Sequence, residues 1–286
     1  VDKHQFQDWL QKSSWSDPLA SPLIMGVLNV TPDSFSDGNE FFSVDKAVAK
    51  ALHLIEDGAD LIDVGGESTR PGASPVTLME EIARVVPVIR ALRTVSDTVI
   101  SIDTYKPEVM AAAVAAGADM INDVQALQAP GAVELVANLK VPICLMHMKG
   151  TPQHMQQNPT YVQGVVAEVM DFFNERIQRC IDAGMAKEKI ILDPGFGFGK
   201  QVHHNLTLIK QLSRFSVFKL PILLGVSRKS TIGKILGREV NGRLIGSIVL
   251  GALAVINGAN ILRTHDVQET KEALTMLRMI QHANDI

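Results

Sequence analysis

The chain has 286 residues, 46% hydrophobic and 20% charged, with a formal net charge of −4 and two cysteines, Cys144 and Cys180. No basic excess is present to hold nucleic acid or an anionic membrane surface, and two cysteines are too few for a disulfide scaffold and suit a reducing compartment. The polar opening run VDKHQFQDWLQKSSWSD lacks the apolar core of a secretory signal, so the expectation is a cytoplasmic protein with small-molecule partners.

Residues 1–21 are expected to form an N-terminal extension or cap, and 22–286 one domain. From Leu23 onward, short apolar runs alternate with longer helical patterns. The runs are LIMGVLNV, DLIDVGG, VISIDT, MINDV, ICLMHM, IILDPG, ILLGVS and ILRTHD. Each is short and apolar on both faces, as a parallel strand covered by helices must be. Between them, Ser43 is expected to cap the helix of VDKAVAKALHLIEDG, with Gly58 at its stop. Lys106-Pro107 opens EVMAAAVAAG, and Asn158-Pro159 is expected to open the long helix that closes at Gly184. The uncharged stretch Leu244–Leu262 approaches membrane-spanning length. It contains Gly246, Ser247, Gly251, Asn257, Gly258 and Asn260 and breaks at NGAN, so it reads as a fully buried helix, a turn and a strand.

Strict alternation with eight strands predicts a single-domain (β/α)8 barrel, with a doubly wound sheet as the alternative. In such a barrel the chemistry gathers at the C-terminal strand ends. Nearly every strand here ends in a polar group: Asn29; Asp63 with Glu67; Asp103; Asn122 with Asp123; His147; Asp193; Ser227 with Arg228 and Lys229; Arg263 with His265. One strand-end Asp is ordinarily a turn or capping residue. Eight ends in register are costly to bury without partners, which points to a polar ligand. Asp103, Asn122 and Asp193 suit an amino-pyrimidinone edge, because a carboxylate accepts two N–H donors side by side. Arg70, Lys229, Arg263 and His265 suit phosphate oxygens or a ring carbonyl. The site is therefore expected to be bipartite, with a heterocycle deep and a phosphate near the mouth.

The loops NVTPDSFSDGNEF and GGESTRPGASP are long and polar and read as lids, Phe35 being exposed without an evident partner. In SRKS, Ser227 to Ser230, cations and hydroxyls meet the start of a helix. His147 reads as a hydrogen-bonded strand-end residue, since no second His or Cys stands at ligand spacing. The histidines of QVHHN read as the start of a solvated helix. DPGFGFGK, Asp193 to Lys200, fails both the dinucleotide and the P-loop templates, because Lys200 stands where the third glycine belongs and Gln201 where a hydroxyl belongs.

Taken in order, IMGVLNVTPDSFSDG, GGESTRPGA, SIDT, INDV, MHMKGTP, DPGFGFGK, GVSRKS and LRTHDV resemble the dihydropteroate synthase family of bacterial type, over nearly all residues after Leu23. The resemblance implies a TIM-barrel transferase of folate biosynthesis. It would join 6-hydroxymethyl-7,8-dihydropterin diphosphate to 4-aminobenzoate by an SN1-like route with Mg²⁺, as a sulfonamide target and a homodimer. It also implies that Asp103, Asn122, Met146, Asp193, Phe198 and Lys229 bind pterin. Thr69, Arg70, Arg263 and His265 would meet the diphosphate, with Asn29 as metal and diphosphate contact. Phe35, Pro71, Lys229 and Ser230 would shape the aminobenzoate pocket, and Asp103, Asn122, Asp193, Lys229, Arg263 and His265 would carry catalysis. Asn39, Lys149 and Thr264 depart from the family's usual residues, each beside a ligand-matching position. Two other readings compete. A pterin-binding methyltransferase serving a corrinoid protein leaves SRKS and RTHD without a purpose, and a silent pterin-binding paralogue is expected to have lost lid or diphosphate residues.

Overall fold

Strands that are apolar on both faces are stable only between two covered layers, and the alternating helices and the barrel interior supply them. The computed structural model describes residues 1–11, 15, 22–31, 40–68, 75–150 and 154–283. Helix α1 (Lys3–Leu10) precedes β1 (Leu23–Asn29). There follow α2 (Glu40–Glu56), β2 (Leu61–Gly65), α3 (Leu78–Val95), β3 (Val99–Asp103), α4 (Pro107–Ala116), β4 (Met120–Asp123), α5 (Ala132–Leu139) and β5 (Ile143–Met146). The second half continues with α6 (Val165–Asp182), β6 (Ile190–Asp193), α7 (Val202–Lys210), β7 (Leu223–Leu224), α8 (Ser230–Leu236), α9 (Leu244–Ile256), β8 (Ile261–Thr264) and α10 (Val267–Gln281).

The eight strands are parallel, in the order β6-β5-β4-β3-β2-β1-β8-β7. A parallel bridge between Leu192 and Ile222 brings β6 to β7, and the Leu192 N–H donates to Pro221 O at 3.0 Å. The architecture is a (β/α)8 barrel.

Side-chain alternation along the strands produces two apolar clusters. Ile24, Ile62, Val64, Ile100, Ile102 and Ile121 are among those packed outward against the helices. Leu61, Val99, Met120, Cys144, Ile191, Leu223 and Ile261 fill the interior together with Phe6, Trp9 and Leu10 of α1 and with Trp15. Helix α1 lies at the N-terminal ends of the strands: Asp2 bridges Thr98, and Trp15 O accepts from Asn260 Nδ2 at 3.1 Å. A capping box between Asp2 and Gln5 starts it. Two residues further along each strand the inward position rises one layer, as from Val99 through Ser101 to Asp103, from Ile191 to Asp193 and from Ile261 to Arg263. An apolar floor thus turns into a polar mouth within about 7 Å.

Three local expectations are corrected. Helix α2 begins at Glu40 and runs through Ser43 rather than being capped by it. Helix α6 begins at Val165, not at Asn158-Pro159, because Gly164 at φ 90° and ψ 144° is outside the helical region. The preceding Tyr161 is engaged elsewhere, donating its hydroxyl to Gly199 O at 2.8 Å. Helix α9 buries only Ser247, Gly251 and Ala254 and exposes Ile245, Val249, Leu253 and Ile256. Its buried residues are small, Leu250 and Val255 pack partly against the core, and the other large side chains named face outward. No helix among the described residues is long and apolar enough to cross a membrane.

Candidate active site

The deepest polar layer is built on one guanidinium. Arg263, inward on β8, donates from Nε to Asp63 Oδ2 at 2.6 Å and from Nη2 to Asp103 Oδ2 at 2.8 Å. Asn122 donates from Nδ2 to the same Asp63 oxygen at 3.1 Å. Asp63 is fully buried and Asp103 nearly so. Asp63 Oδ1 and Asp103 Oδ1 have no hydrogen-bond partner among the described residues. Burial, helped by the Asp63 charge, lifts the Asp103 carboxyl well above the usual carboxylate range, against the pull of Arg263. Burial opposes the Arg263 charge, but the two carboxylates hold its pKa above the ordinary value. Gly65 borders this layer: a Cβ there would make ordinary contacts, 3.7 Å from Asp103 Oδ2 and 3.8 Å from the Asn29 amide oxygen.

A second charged pair faces the first across the mouth. Asp193 is buried at the end of β6 and accepts the Gly195 N–H on Oδ1 at 2.7 Å. Burial raises its pKa, while Lys229, that N–H and Lys200 restrain the rise. Lys229 donates to Phe196 O, and its ammonium stands 4.3 Å from the centre of the Phe198 ring, a cation–π distance. Burial lowers the Lys229 pKa to about 8, with Asp193 opposing. Met146 pairs with Asp193 in the β5–β6 register and contributes a buried apolar side chain.

The DPGFGFGK segment folds around Lys200, whose role sequence reasoning missed. Its buried amine reaches Gly195 O at 2.9 Å, Phe198 O at 3.0 Å and His147 O at 3.2 Å, and lies 2.9 Å from His147 Nδ1. The segment is therefore wound about an internal hydrogen-bond hub instead of an external phosphate. Burial drives the Lys200 pKa well below that of an ordinary lysine, and burial together with Lys200 does the same to His147. Gly195, at φ 69°, passes so close to strand β5 that a Cβ would fall on the His147 carbonyl oxygen.

Ser227 Oγ accepts the His265 backbone N–H at 3.2 Å and lies 3.1 Å from His265 Nδ1, so the ends of β7 and β8 meet at the rim. Ser230 opens α8 directly after Lys229. Other polar residues near the rim serve turns and local pairs. Asp123 accepts from Gln125 N and Leu127 N, each at 2.7 Å, as a turn residue. Glu67 accepts from Tyr105 Oη at 3.1 Å, Lys106 Nζ at 2.5 Å and Val76 N at 3.3 Å. His204 is buried rather than solvated and packs edge-on to Tyr161 at 4.7 Å. Lys149 donates to Thr160 O and pairs with Glu168 at 2.9 Å, tying the segment after β5 to α6. Phe35, Asn39, Thr69, Arg70 and Pro71 lie outside the described residues.

The mouth therefore brings Asn29, Asp103, Asn122, Met146, Asp193, Phe198, Lys229, Arg263 and His265 to one end of one barrel. Residues 25–265 match the family of pterin binding enzymes. Dihydropteroate synthase of Escherichia coli (strain K12) is 49% identical over 267 residues, 93% of this chain and 94% of the relative, and that of Haemophilus influenzae is 48% identical over 93% and 96%. The chain belongs to the dihydropteroate synthase family. The Yersinia pestis dihydropteroate synthase in a sulfonamide drug complex superposes with a TM-score of 0.88 at 47% identity, covering 93% of this chain and 96% of the other. The Xanthomonas albilineans dihydropteroate synthase with 4-aminobenzoic acid gives 0.87 at 49%, over 93% and 95%, and the same enzyme with 7,8-dihydropteroate gives 0.84 at 47%, over 93% and 96%.

Within a dihydropteroate synthase barrel, the close pass of Gly195 over His147 holds Asp193 in place. Replacing Gly195 by Ala is expected to destabilise the protein by about 4 kcal/mol, because a Cβ at positive φ must also displace backbone. Urea unfolding reads the loss, and a change below about 1 kcal/mol contradicts the packing.

Proposed function

We propose that this enzyme condenses 6-hydroxymethyl-7,8-dihydropterin diphosphate with 4-aminobenzoate to give 7,8-dihydropteroate and pyrophosphate, in folate biosynthesis. The observation that carries the reading is the buried Asp103 oxygen that has no partner among the described residues, beside Asn122 and in the same mouth as Asp193. A flat ring with adjacent N–H donors supplies what that oxygen lacks. In this reading Asp103, Asn122 and Asp193 hold the pterin edge, Met146 and Phe198 line it, and Lys229 donates to a ring acceptor. Arg263 keeps Nη1 for an anion while Nε and Nη2 hold the carboxylates. With His265, and with Thr69 and Arg70 from the β2–α3 loop, it meets the diphosphate. Phe35, Pro71, Lys229 and Ser230 surround 4-aminobenzoate, where sulfonamides compete.

The reaction breaks the bond between the methylene carbon and the diphosphate oxygen, and the electron pair leaves with pyrophosphate. The aniline nitrogen then bonds to the pterin-methylene cation and loses one proton to solvent. No side chain acts as a nucleophile. Arg263 and Lys229 stabilise charge as it shifts, and the apolar side chains of Met146 and Phe198 would help keep water from the cation. Asn29 would hold Mg²⁺ through its amide oxygen. A neutral amide oxygen at the mouth suits a hard cation whose other ligands are phosphate oxygens and water. When bound, that ion neutralises the leaving diphosphate.

Residues 22–286 form the catalytic barrel in this reading, with 1–21 as its closing cap. Cytoplasmic residence is supported by Cys144 and Cys180, both free and buried. A homodimer through α9 and α10 is supported by exposed Ile245, Val249, Met276 and Met279. Val249→Asp is expected to turn a sedimenting dimer into a monomer, and a wild type that sediments as a monomer would sink this assembly.

The reaction is tested by following dihydropteroate and pyrophosphate formation with Mg²⁺, with and without 4-aminobenzoate. Wild type is expected to form both products. Asp193→Ala is expected to lower kcat/KM by about 10³-fold. A wild type that binds dihydropterin but releases no pyrophosphate from its diphosphate would instead be a silent pterin-binding protein or a methyltransferase barrel.

The pH profile supplies a second test. Asp103 has a raised pKa and loses its charge as pH falls, so kcat/KM drops on the acid side at a pH above the ordinary carboxylate range. Lys229 has a lowered pKa and loses its charge as pH rises through about 8, giving an alkaline fall. An alkaline limb that persists unchanged in Lys229→Met contradicts that assignment.

A further inference from the structure

Asp266 occupies the N-cap of α10, where an Asp side chain ordinarily accepts the helix's first free N–H groups. It makes no such bond. Its carboxylate is turned toward the end of β7 and accepts Arg228 on both oxygens, Nε to Oδ2 at 3.1 Å and Nη2 to Oδ1, while the Ser227 hydroxyl lies 3.5 Å from Oδ2. The backbone of Asp266 is fixed independently. Its N–H donates to Thr264 Oγ1 at 3.1 Å, and its carbonyl accepts Thr270 Oγ1 at 2.6 Å.

Arg228 is in the left-handed region at φ 58°, uncommon for a residue other than glycine, and local hydrogen bonds hold it there. Its N–H donates to Ser247 Oγ at 2.9 Å, and its carbonyl accepts Arg243 Nη1 at 3.0 Å. Ser247 in turn donates to Arg243 O at 2.8 Å. Strand β7 has only two ladder residues, Leu223 and Leu224, so sheet hydrogen bonds do not extend to the turn that follows. That turn presents Lys229, which reaches across the mouth to Phe196 O. The adjoining Ser227 hydroxyl meets both the backbone and the ring of His265. Relaxation of Arg228 to an ordinary φ would redirect the next peptide and carry Lys229 away from Asp193.

We propose that Asp266 is a positioning residue: through Arg228 and Ser227 it sets the β7–α8 turn so that Lys229 and His265 stand together at the barrel mouth. The part-exposed guanidinium of SRKS is thus a strut to Asp266, and the cation which that motif turns into the mouth is Lys229. The activity readout rests on the synthase reading above, whereas the geometric readout does not.

The test uses the full-length protein with Asp266→Asn, Arg228→Met and the double variant. Kinetic constants for both substrates are measured, together with the rate at which a small acylating reagent modifies Lys229, read by peptide mass spectrometry. Each single variant is expected to lower kcat/KM for the pterin diphosphate by about 10- to 100-fold, as a misplaced contact does. The double variant is expected to fall no further than the singles, because the two residues act as one unit. Lys229 labelling is expected to rise several-fold in all three. Wild-type kinetics with wild-type labelling in Asp266→Asn, or losses that multiply in the double variant, would overturn the proposal. If Asp266→Asn does not fold, Ser247→Ala decides. It keeps every charge and frees the Arg228 N–H, while Arg243 O, which loses the Ser247 hydroxyl, still accepts the Ser247 N–H, so faster labelling with a raised KM supports the strut and unchanged values overturn it. A wild type with no synthase activity would remove the assigned reaction while leaving the labelling comparison intact.

Discussion

Two carboxylates sharing one guanidinium inside the barrel set the terms for everything above them. Asp63 and Asp103 are withdrawn from water on adjacent strands, and Arg263 from β8 is the cation that bridges them. A buried ion pair is weak evidence for stability, since well-packed apolar residues of similar volume often do as well or better. The interior below already has such packing in Leu61, Val99, Met120 and Ile261. The layer of charge therefore has to be explained by what it binds. Two of its oxygens have no partner among the described residues and are half of a set of hydrogen bonds, of which a donor-rich ligand supplies the other half.

The same constraint explains the glycine-rich segment after β6. Asp193 and Lys229 add a further pair of opposite charge to the mouth, and each needs backbone groups as well as the other's charge. The segment supplies the Gly195 N–H to Asp193 and the Phe196 carbonyl to Lys229. Backbone that turns this sharply leaves its own carbonyls facing inward, and the Lys200 amine collects two of them together with that of His147. The lysine that ends the glycine-rich segment serves the loop's own carbonyls.

Much of the fold was legible because it follows from periodicity. Eight apolar runs gave eight parallel strands, and Lys106-Pro107 with Gly117 bounded α4 as local chemistry requires. The misreadings fall where distant contacts override local signals. Asn158-Pro159 resembles a helix start, yet Tyr161 is bound to Gly199 and the helix waits for Gly164. Helix α9 is uncharged and reads as buried, but burial depends on what stands beside it, and among the described residues nothing covers Ile245 or Val249. The polar rim was legible as a list of strand ends. Which ends act as turns, like Asp123, and which face the mouth, like Asn122, depends on strand alternation and on the N–H groups that each carboxylate meets. Asp63, in the rim list but given no role there, proves central because it lies one layer below Gly65 and directly beneath the mouth.

Rigidity in this mouth is distributed unevenly, and the distribution has a physical logic. The Asp63, Asp103 and Asn122 side chains stand on ladder strands, where each register is fixed by neighbours on both sides. Lys229 and His265 stand beyond the ladder, one after a two-residue strand and the other at the start of a connection. Residues that recognise a flat ring need the precision of a sheet. Groups that must follow charge from a breaking bond to a leaving diphosphate need a different support, firm in position but outside the packed core. Side-chain struts such as Asp266 with Arg228, and Ser247 with the Arg228 N–H, supply it. A barrel can therefore keep one floor for ring recognition and tune the chemistry above it through the turns that follow its shortest strands.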